Sequence, residues 1–383
     1  MNALAAPLAV LPALLPEIAA AAARHDRDAS FPHDSLGALR RAGLLALTVP
    51  AGSGGGGGGL RLAAQVVEQV GAACPATALV LAMQYLKHAA LARSPAWPAA
   101  LRERVQRDAV AAGALLNALR VEPELGSPTR GGLPATRARR TPEGWVLSGR
   151  KRYCTGAPGL HWLEVWARTD EHPAPRVGSF LVPATAPGIE IIESWNHLGL
   201  RASGSHDVVF HDVLIPEDHA IGLAAPGAGG ADALQQVWNA VLVPAVYTGV
   251  ARAARDWIIG FVRHRAPSGL GAPLATLPRV AEAIGRIEGL IAANARITEA
   301  LALATDAGQP PSATEAGALK VVLAENAVHA VEAATLLAGN HAHDRALSLE
   351  RHWRDVQCAR MHAPASDTAQ LAAGRAALAE TAA

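Results

Sequence analysis

The stretch WNHLGLRASGSHDVVFHDVLIP, Trp195 to Pro216, decides the fold. Its second half, Asp207 to Pro216, is rich in β-branched and aromatic residues and reads as a strand. Gly188 to Ser194 reads the same way. Further upstream, Ala135 to Arg140, Trp145 to Lys151, Trp162 to Thr169 and Val177 to Val182 are short runs of the same kind. Thr141-Pro-Glu-Gly144 lies between the first two and predicts a hairpin turn. Strands at this spacing, with no helical text between them, predict a compact antiparallel barrel or sandwich over residues 113–222.

On both sides the text turns helical. Asp34-Ser35 caps a segment in which Leu36, Leu39 and Ala42 recur at helical spacing as far as Gly43. Leu60 to Leu101 continues with Ala, Leu and Val in helical periodicity. Helical text returns after Pro226-Gly-Ala-Gly-Gly230 and is interrupted by the Pro- and Gly-rich Ala266 to Pro278. Three domains follow: helical 1–112, β 113–222, helical 223–383. Ser53 precedes six glycines, Gly54 to Gly59, with no Gly-Lys-Ser/Thr after them. A phosphate-cradling loop is therefore excluded, and a flexible surface connection is expected.

The 383 residues are half apolar and 17% charged, enough for a large core in two or three domains. Lys plus Arg is 34 and Asp plus Glu is 33, which excludes the basic footprint of a nucleic-acid binder or a polybasic membrane anchor. Cys74, Cys154 and Cys358 lie far apart with no CxxC, so neither a disulfide framework nor a cysteine zinc site is expected. The opening MNALAAPLAVLPALLP lacks a basic n-region and carries Pro7, Pro12 and Pro16, which predicts a segment packed on the fold, not an export signal. Gln69 to Leu86 and Ala233 to Ala251 are uncharged, yet each holds Gln, Thr and Pro; buried helices of a bundle fit them better than membrane spans. A soluble cytoplasmic protein is expected, bound to neither nucleic acid nor membrane.

Four stretches, in order and at compatible spacing, resemble the acyl-CoA dehydrogenase superfamily of flavoproteins. They are Val121 to Pro128 (VEPELGSP), Gly149 to Ala157 (GRKRYCTGA), Trp195 to Pro216, and Leu349 to Gln357 (LERHWRDVQ), whose helix carries the pair Arg354-Asp355. The resemblance implies an α+β fold: an N-terminal helical domain, a middle antiparallel β-barrel domain, and a C-terminal four-helix bundle that mediates assembly into a homotetramer or dimer. It implies a flavin between the β domain and the C-terminal helices. Reduction places negative charge on the polar edge of that ring, so hydrogen-bond donors are needed there. In the turn Cys154-Thr155-Gly156, Thr155 matches the family's flavin-contacting threonine, and Tyr153 replaces the usual Trp beside the ring. Leu119 and Ser127 stand where the β-domain loop contacts flavin and substrate.

A dehydrogenase of this family needs a carboxylate base to take the α-proton of an acyl thioester. Counted from Arg354, the usual seat falls on Ala363, inside Met361-His362-Ala363-Pro364. The alternative seat falls near Asn239, and no Glu occurs between Glu217 and Glu282. Both seats are empty. Met361 to Pro364 instead resembles the Leu-His-Asp-Pro stretch of the branch typified by dibenzothiophene monooxygenase and related sulfur-acquisition enzymes. That resemblance makes His362 and Thr155 the catalytic residues, facing the flavin and stabilising a flavin hydroperoxide. A further helical His of that branch has Gln84, Tyr85 and His88 as candidates.

The family binds FAD through two turns. Gly339-Asn340-His341-Ala342 stands at the first and keeps one glycine of three; Arg265 is kept at the second, followed by Ala266-Pro267-Ser268. Losing the glycines that let backbone approach a phosphate tilts the cofactor toward FMN, with FAD the other possibility. His341-Ala-His343-Asp344 has HxHxD form, but nothing nearby supplies a third ligand, so no metal is expected. Arg150, Lys151 and Arg152 read as a solvated strand end, and Trp145, Trp162 and Trp166 as β-domain core.

The reading is a flavin-dependent oxidoreductase. Preferred is a reduced-flavin, two-component monooxygenase of a small organic or organosulfur substrate, served by a flavin reductase. The alternatives are an acyl-CoA dehydrogenase with a displaced base, which desaturates a thioester and passes electrons to an electron-transfer flavoprotein, and a non-catalytic scaffold of the same fold.

Overall fold

A computed structural model of the chain describes residues 6–125, 132–171, 174–228 and 232–380. Helices α1 (Ala6–Asp28), α2 (His33–Arg41), α3 (Leu60–Ala73), α4 (Pro75–Arg93) and α5 (Ala99–Ala112) come first. Eight strands follow: β1 (Leu115–Leu119), β2 (Arg137–Thr141), β3 (Gly144–Cys154), β4 (Leu160–Thr169), β5 (Val177–Pro183), β6 (Ile189–Ile192), β7 (His206–Ile215) and β8 (Ala220–Ala224). Helices α6 (Ala233–His264), α7 (Pro278–Asp306), α8 (Ala313–Ala338), α9 (Ser348–Val356) and α10 (Ser366–Glu380) complete the chain.

The prolines of the opening segment do not break α1, and Leu11 and Ile18 bury one face of it completely. Among the described residues, two helical stretches, Pro7–Asp28 and Ala313–His343, are long and apolar enough to cross a membrane by length and composition; just over half of the most apolar part of the second is buried within the fold.

The strands form one sheet in the order β6-β7-β3-β2-β4-β5-β8, with β1 on β4. The expected hairpin is present, with Thr141 opposite Gly144. The expectation of a purely antiparallel sheet is corrected: β1 and β2 both run parallel to β4. After β3 the chain crosses to the far side of β2, so β4 must run in the direction of β2. The basic run is corrected as well. Lys151 is fully buried in β3, 2.6 Å from Glu122, and only its neighbours Arg150 and Arg152 reach solvent.

Helix α6 is the axis of the molecule. Its middle, from Val237 to Ala251, is almost wholly buried among α3, α4, α7 and α8. Glycines allow the closest crossing. A Cβ on Gly249 would lie 2.2 Å from the carbonyl oxygen of Glu68, and one on Gly71 would lie 2.6 Å from that of Val246. Backbone therefore meets backbone where α3 crosses α6, which fixes the rotation of α6 and of Tyr247 on it.

The glycine run is packed, which overturns the flexible connection expected there. The N–H groups of Gly56, Gly57 and Gly58 donate to the carbonyls of Ala46, Val49 and Leu47. Gly55 lies so close to Val49 that a Cβ would stand 2.4 Å from its side chain and carbonyl. The run delivers the N-terminus of α3 to Asp306 at the end of α7, whose carboxylate accepts from the N–H groups of Leu60 (2.7 Å) and Arg61 (3.0 Å). An anion at a helix N-terminus is stabilising, so this contact ties the first helical domain to the last.

Candidate active site

The residues expected at the site fall in two clusters, one on the sheet and one on the helices. Thr155 follows the end of β3. Its hydroxyl is 3.0 Å from that of Ser205, which is 2.7 Å from that of Ser203. Its carbonyl accepts from the Asn117 amide on β1 at 3.0 Å. Three hydroxyls in a row form a chain that can turn a proton outward at Thr155. Cys154 is buried, and burial pushes its thiol far above its usual range, so it is a packing residue there. Tyr153 holds a left-handed backbone (φ 56°) that swings its ring outward. The ring is 47% exposed and meets Trp195 and His197 edge-on, while those two stack at 3.6 Å. Trp195 and His197 therefore brace the Tyr153 ring, and the Arg152 guanidinium lies over it, 5.1 Å from its centroid.

Behind this surface Glu122 anchors the β domain. Its carboxylate accepts from Lys151 Nζ, from the Thr136 hydroxyl and N–H, and from the Ala135 N–H. Burial works to raise its pKa, but Lys151 and these donors win and hold it below the usual carboxylate range.

The helical cluster centres on His362. The carbonyls of three consecutive residues are each held by a helix side chain. Lys320 of α8 donates to those of His362 (2.7 Å) and Pro364 (3.2 Å), and the Asn239 amide of α6 donates to that of Ala363 (2.8 Å). Ala363, and the neighbourhood of Asn239, are where the family resemblance would seat a dehydrogenase base, and here the Asn239 amide holds the Ala363 carbonyl. Tyr247 Oη lies 2.5 Å from His362 Nε2. Burial, and then the charge on Lys320, pull the imidazole down to about 4, so it is neutral at physiological pH. Burial pushes the Tyr247 phenol well above its usual value and lowers Lys320 to about 8. Nearby carboxylates are engaged: Glu325 by Arg360 at 2.6 and 2.9 Å, and Asp355 by the N–H of Leu200 at 2.7 Å.

That Asp355–Leu200 bond also joins the clusters. Leu200 ends the segment carrying Trp195 and His197, and Gly199 beside it lies so close to Arg354 that a Cβ would meet its carbonyl at 2.3 Å. The β domain thus docks on α9, and the turn that follows α9 leads directly to His362.

Other expected residues are spread more widely. Leu119 is buried in β1, and Ser127 lies outside the described residues. Arg265, Gly339 and Asn340 are exposed at the ends of α6 and α8, and Gly339 takes φ 61° with open space on its Cβ side. Sequence reasoning missed Tyr247, Lys320, Asn117 and Ser205. The signal for the first was one of only three tyrosines inside an uncharged run; for the second, a lone lysine in an apolar helix.

The chain matches the acyl-CoA dehydrogenase N-terminal domain over residues 14–93, the middle domain over 120–213 and the C-terminal domain over 241–367. It belongs to the acyl-CoA dehydrogenase family. Within this family it is 32% identical over 353 residues to YdbM of Bacillus subtilis (strain 168), whose name places it among the acyl-CoA dehydrogenases; the match spans 91% of this chain and 90% of that one. It is 34% identical over 272 residues to the amino sugar nitrososynthase RubN8 of Streptomyces rubradiris, across 67% of this chain and 61% of that one. KijD3, solved in complex with FMN and dTDP-3-amino-2,3,6-trideoxy-4-keto-3-methyl-D-glucose, superposes with a TM-score of 0.87 at 30% identity, over 99% of this chain and 94% of that one. The dibenzothiophene monooxygenase TdsC of Paenibacillus sp. A11-2 shares the family fold, with a TM-score of 0.81 at 20% identity over 96% of both chains. The expected family and fold are thus both met.

Proposed function

We propose that the chain is a flavin-dependent monooxygenase that receives reduced flavin from a separate reductase and oxygenates a heteroatom of a small organic substrate. The observation that carries this reading is the hydrogen bond between Asn239 and Ala363. Both seats for a dehydrogenase base hold residues that cannot take a proton; of the carboxylates nearby, Glu325 is paired with Arg360 and Asp355 is buried against the Leu200 N–H. RubN8, which oxidises an amino sugar according to its name, makes amine nitrogen a target to set beside the sulfur suggested by Met361 to Pro364.

The cofactor is a flavin, and the residues fit one. Thr155 offers a hydroxyl donor for its polar edge, and the half-exposed Tyr153 beside it offers an aromatic surface to its ring system. Of the family's two FAD-binding turns this chain keeps only Arg265 and Gly339, a sparse set that suits FMN. When bound, the flavin supplies the electrons and the reaction with dioxygen that side chains cannot. Ser205 and Asn117 fix Thr155 in place. Neutral His362 offers a hydrogen bond beside the reacting centre, and the apolar middle of α6 keeps water out. The working form is a cytoplasmic homo-oligomer, dimer or tetramer.

A second reading, acyl-CoA dehydrogenase, is favoured by the whole-chain similarity to YdbM. One experiment separates them. The protein is loaded with FMN, and separately with FAD, reduced without oxygen, then mixed with oxygenated buffer while the flavin spectrum is followed. A spectral transient between the reduced and oxidised forms, shortened in His362→Ala, supports the oxygenase. Slow reoxidation without a transient, together with bleaching of the oxidised flavin by acyl-CoA thioesters, overturns it in favour of the dehydrogenase.

A further inference from the structure

Tyr247 and His362 share one contact, and it can be made in two ways. Either the phenol donates to an unprotonated Nε2, or a protonated Nε2 donates to the phenol oxygen. The surroundings separate them. The Tyr247 side chain is wholly buried, and among the described residues its hydroxyl has no partner besides His362. If Nε2 carried the proton, the phenolic hydrogen would be buried without an acceptor, which disfavours that arrangement by about fivefold to about 150-fold. If the phenol donates, both groups are satisfied. The groups facing the pair preserve these protonation states. Lys320 approaches from α8, within reach of the carbonyl of His362 itself, and sets a positive charge against a second proton on the ring. Asp355 of α9 and Cys358 of the turn after it act against a phenolate, as does burial.

We infer that Tyr247 is a positioning residue that fixes His362 as its Nδ1–H tautomer, so that the ring has a permanent hydrogen-bond donor at Nδ1 and no free basic nitrogen. The nitrogen with the lone pair is occupied by the phenol. His362 is thereby suited to stabilise an oxygen atom that gains negative charge, and it cannot replace the missing carboxylate as a base for an α-proton. This consequence for catalysis rests on the oxygenase reading; the tautomer itself does not.

The test reads the tautomer directly. Full-length protein carrying ¹⁵N-labelled histidine, with no flavin added, is studied by long-range proton–nitrogen correlation at pH 7.5, and His362→Gln assigns the signals. The expected result is a protonated Nδ1 and an unprotonated Nε2, at least about fivefold in favour. In Tyr247→Phe, which keeps the ring and removes the hydroxyl, that preference falls to near parity or reverses. Two results overturn the inference: an Nε2–H form as abundant as Nδ1–H in the wild type, or an unchanged ratio in Tyr247→Phe. Should the phenylalanine variant fail to fold, the wild-type ratio still decides. Loss of the oxygenase reading in the flavin experiment would leave this result standing, so the two failures are distinguishable.

Discussion

Tyr247 and His362, 115 residues apart in the chain, meet with ring centroids 5.6 Å apart and a 2.5 Å contact between Oη and Nε2. The tyrosine lies on the buried axis of the fold, and the histidine lies on a turn held by three hydrogen bonds from two side chains, Asn239 of α6 and Lys320 of α8. The arrangement fixes an otherwise irregular segment, as the role proposed for His362 requires.

Lys320 carries two of those three contacts. Lys320→Met leaves the carbonyls of His362 and Pro364 without their donor but also removes an ammonium that burial penalises, so the two effects offset and stability should change by less than about 1 kcal/mol. Removing the charge should also raise the pKa of His362 from its depressed value near 4. Chemical denaturation and an NMR titration of the His362 ring check both; an unmoved titration would show that Lys320 does not act on the ring.

Acid should unfold the protein early. Burial lowers His88 and His352 to about 3 and His362 to about 4, so each is neutral when folded and takes up a proton near its ordinary value of 6.5 once unfolded. Their contribution is full above pH 6.5 and is lost as pH falls. Asp355, raised to about 7 by burial, works in the opposite direction. These three groups against one leave about two protons taken up on unfolding, and the lowered His197 and His206 act in the same sense, so the slope should be at least about 3 kcal/mol per pH unit between roughly pH 6 and 4.5. His88→Leu should lower that slope by about 1.4 kcal/mol per pH unit. Unfolding free energies across this range that run parallel to the wild type would refute the assignment to His88.

Thr155→Val keeps the shape of the side chain and removes its hydroxyl. Flavin affinity should fall about tenfold, the effect of one lost hydrogen bond to a polar edge. Thr155→Ser should bind nearly as the wild type does. Fluorescence titration with FMN measures both, and equal binding by the valine variant would move the polar edge elsewhere.

The Glu122–Lys151 pair should respond unequally to its two truncations. Glu122→Leu strands a buried ammonium and three further donors, and should lose about 3–5 kcal/mol. Lys151→Met leaves a carboxylate that keeps three donors and should lose less. The double variant should recover part of the loss. Urea denaturation of the three proteins tests the order, and equal losses would contradict it.

Two glycines near the start of the run should behave oppositely. A Cβ on Gly52 meets nothing within 4 Å, and Gly52→Ala should change stability by less than about 0.5 kcal/mol. Gly55→Ala drives a methyl into Val49 and should lose about 1–3 kcal/mol. A melting temperature for Gly55→Ala equal to the wild type would restore the picture of a flexible connection.

The sequence by itself determined the architecture. Periodicity of 3.6 on either side of short β-branched runs, with Thr141-Pro-Glu-Gly144 as a hairpin turn, sets helices around a sheet, because the signal for each element lies within the element. The empty base seats, at Ala363 and near Asn239, were legible through the family resemblance, which says where in the chain to look for a carboxylate. Tertiary structure alone decided what those positions do. Asn239 meets Ala363, Lys320 meets the His362 turn, and Tyr247 meets His362 only because α6, α8 and the segment after α9 converge across more than 40 residues of chain in every case. The packed glycine run and the buried Lys151 were misread from the sequence on similar grounds. A glycine reads as flexible and a lysine as solvated until the neighbours are known, and those neighbours, Val49 for Gly55 and Glu122 for Lys151, are supplied by the fold.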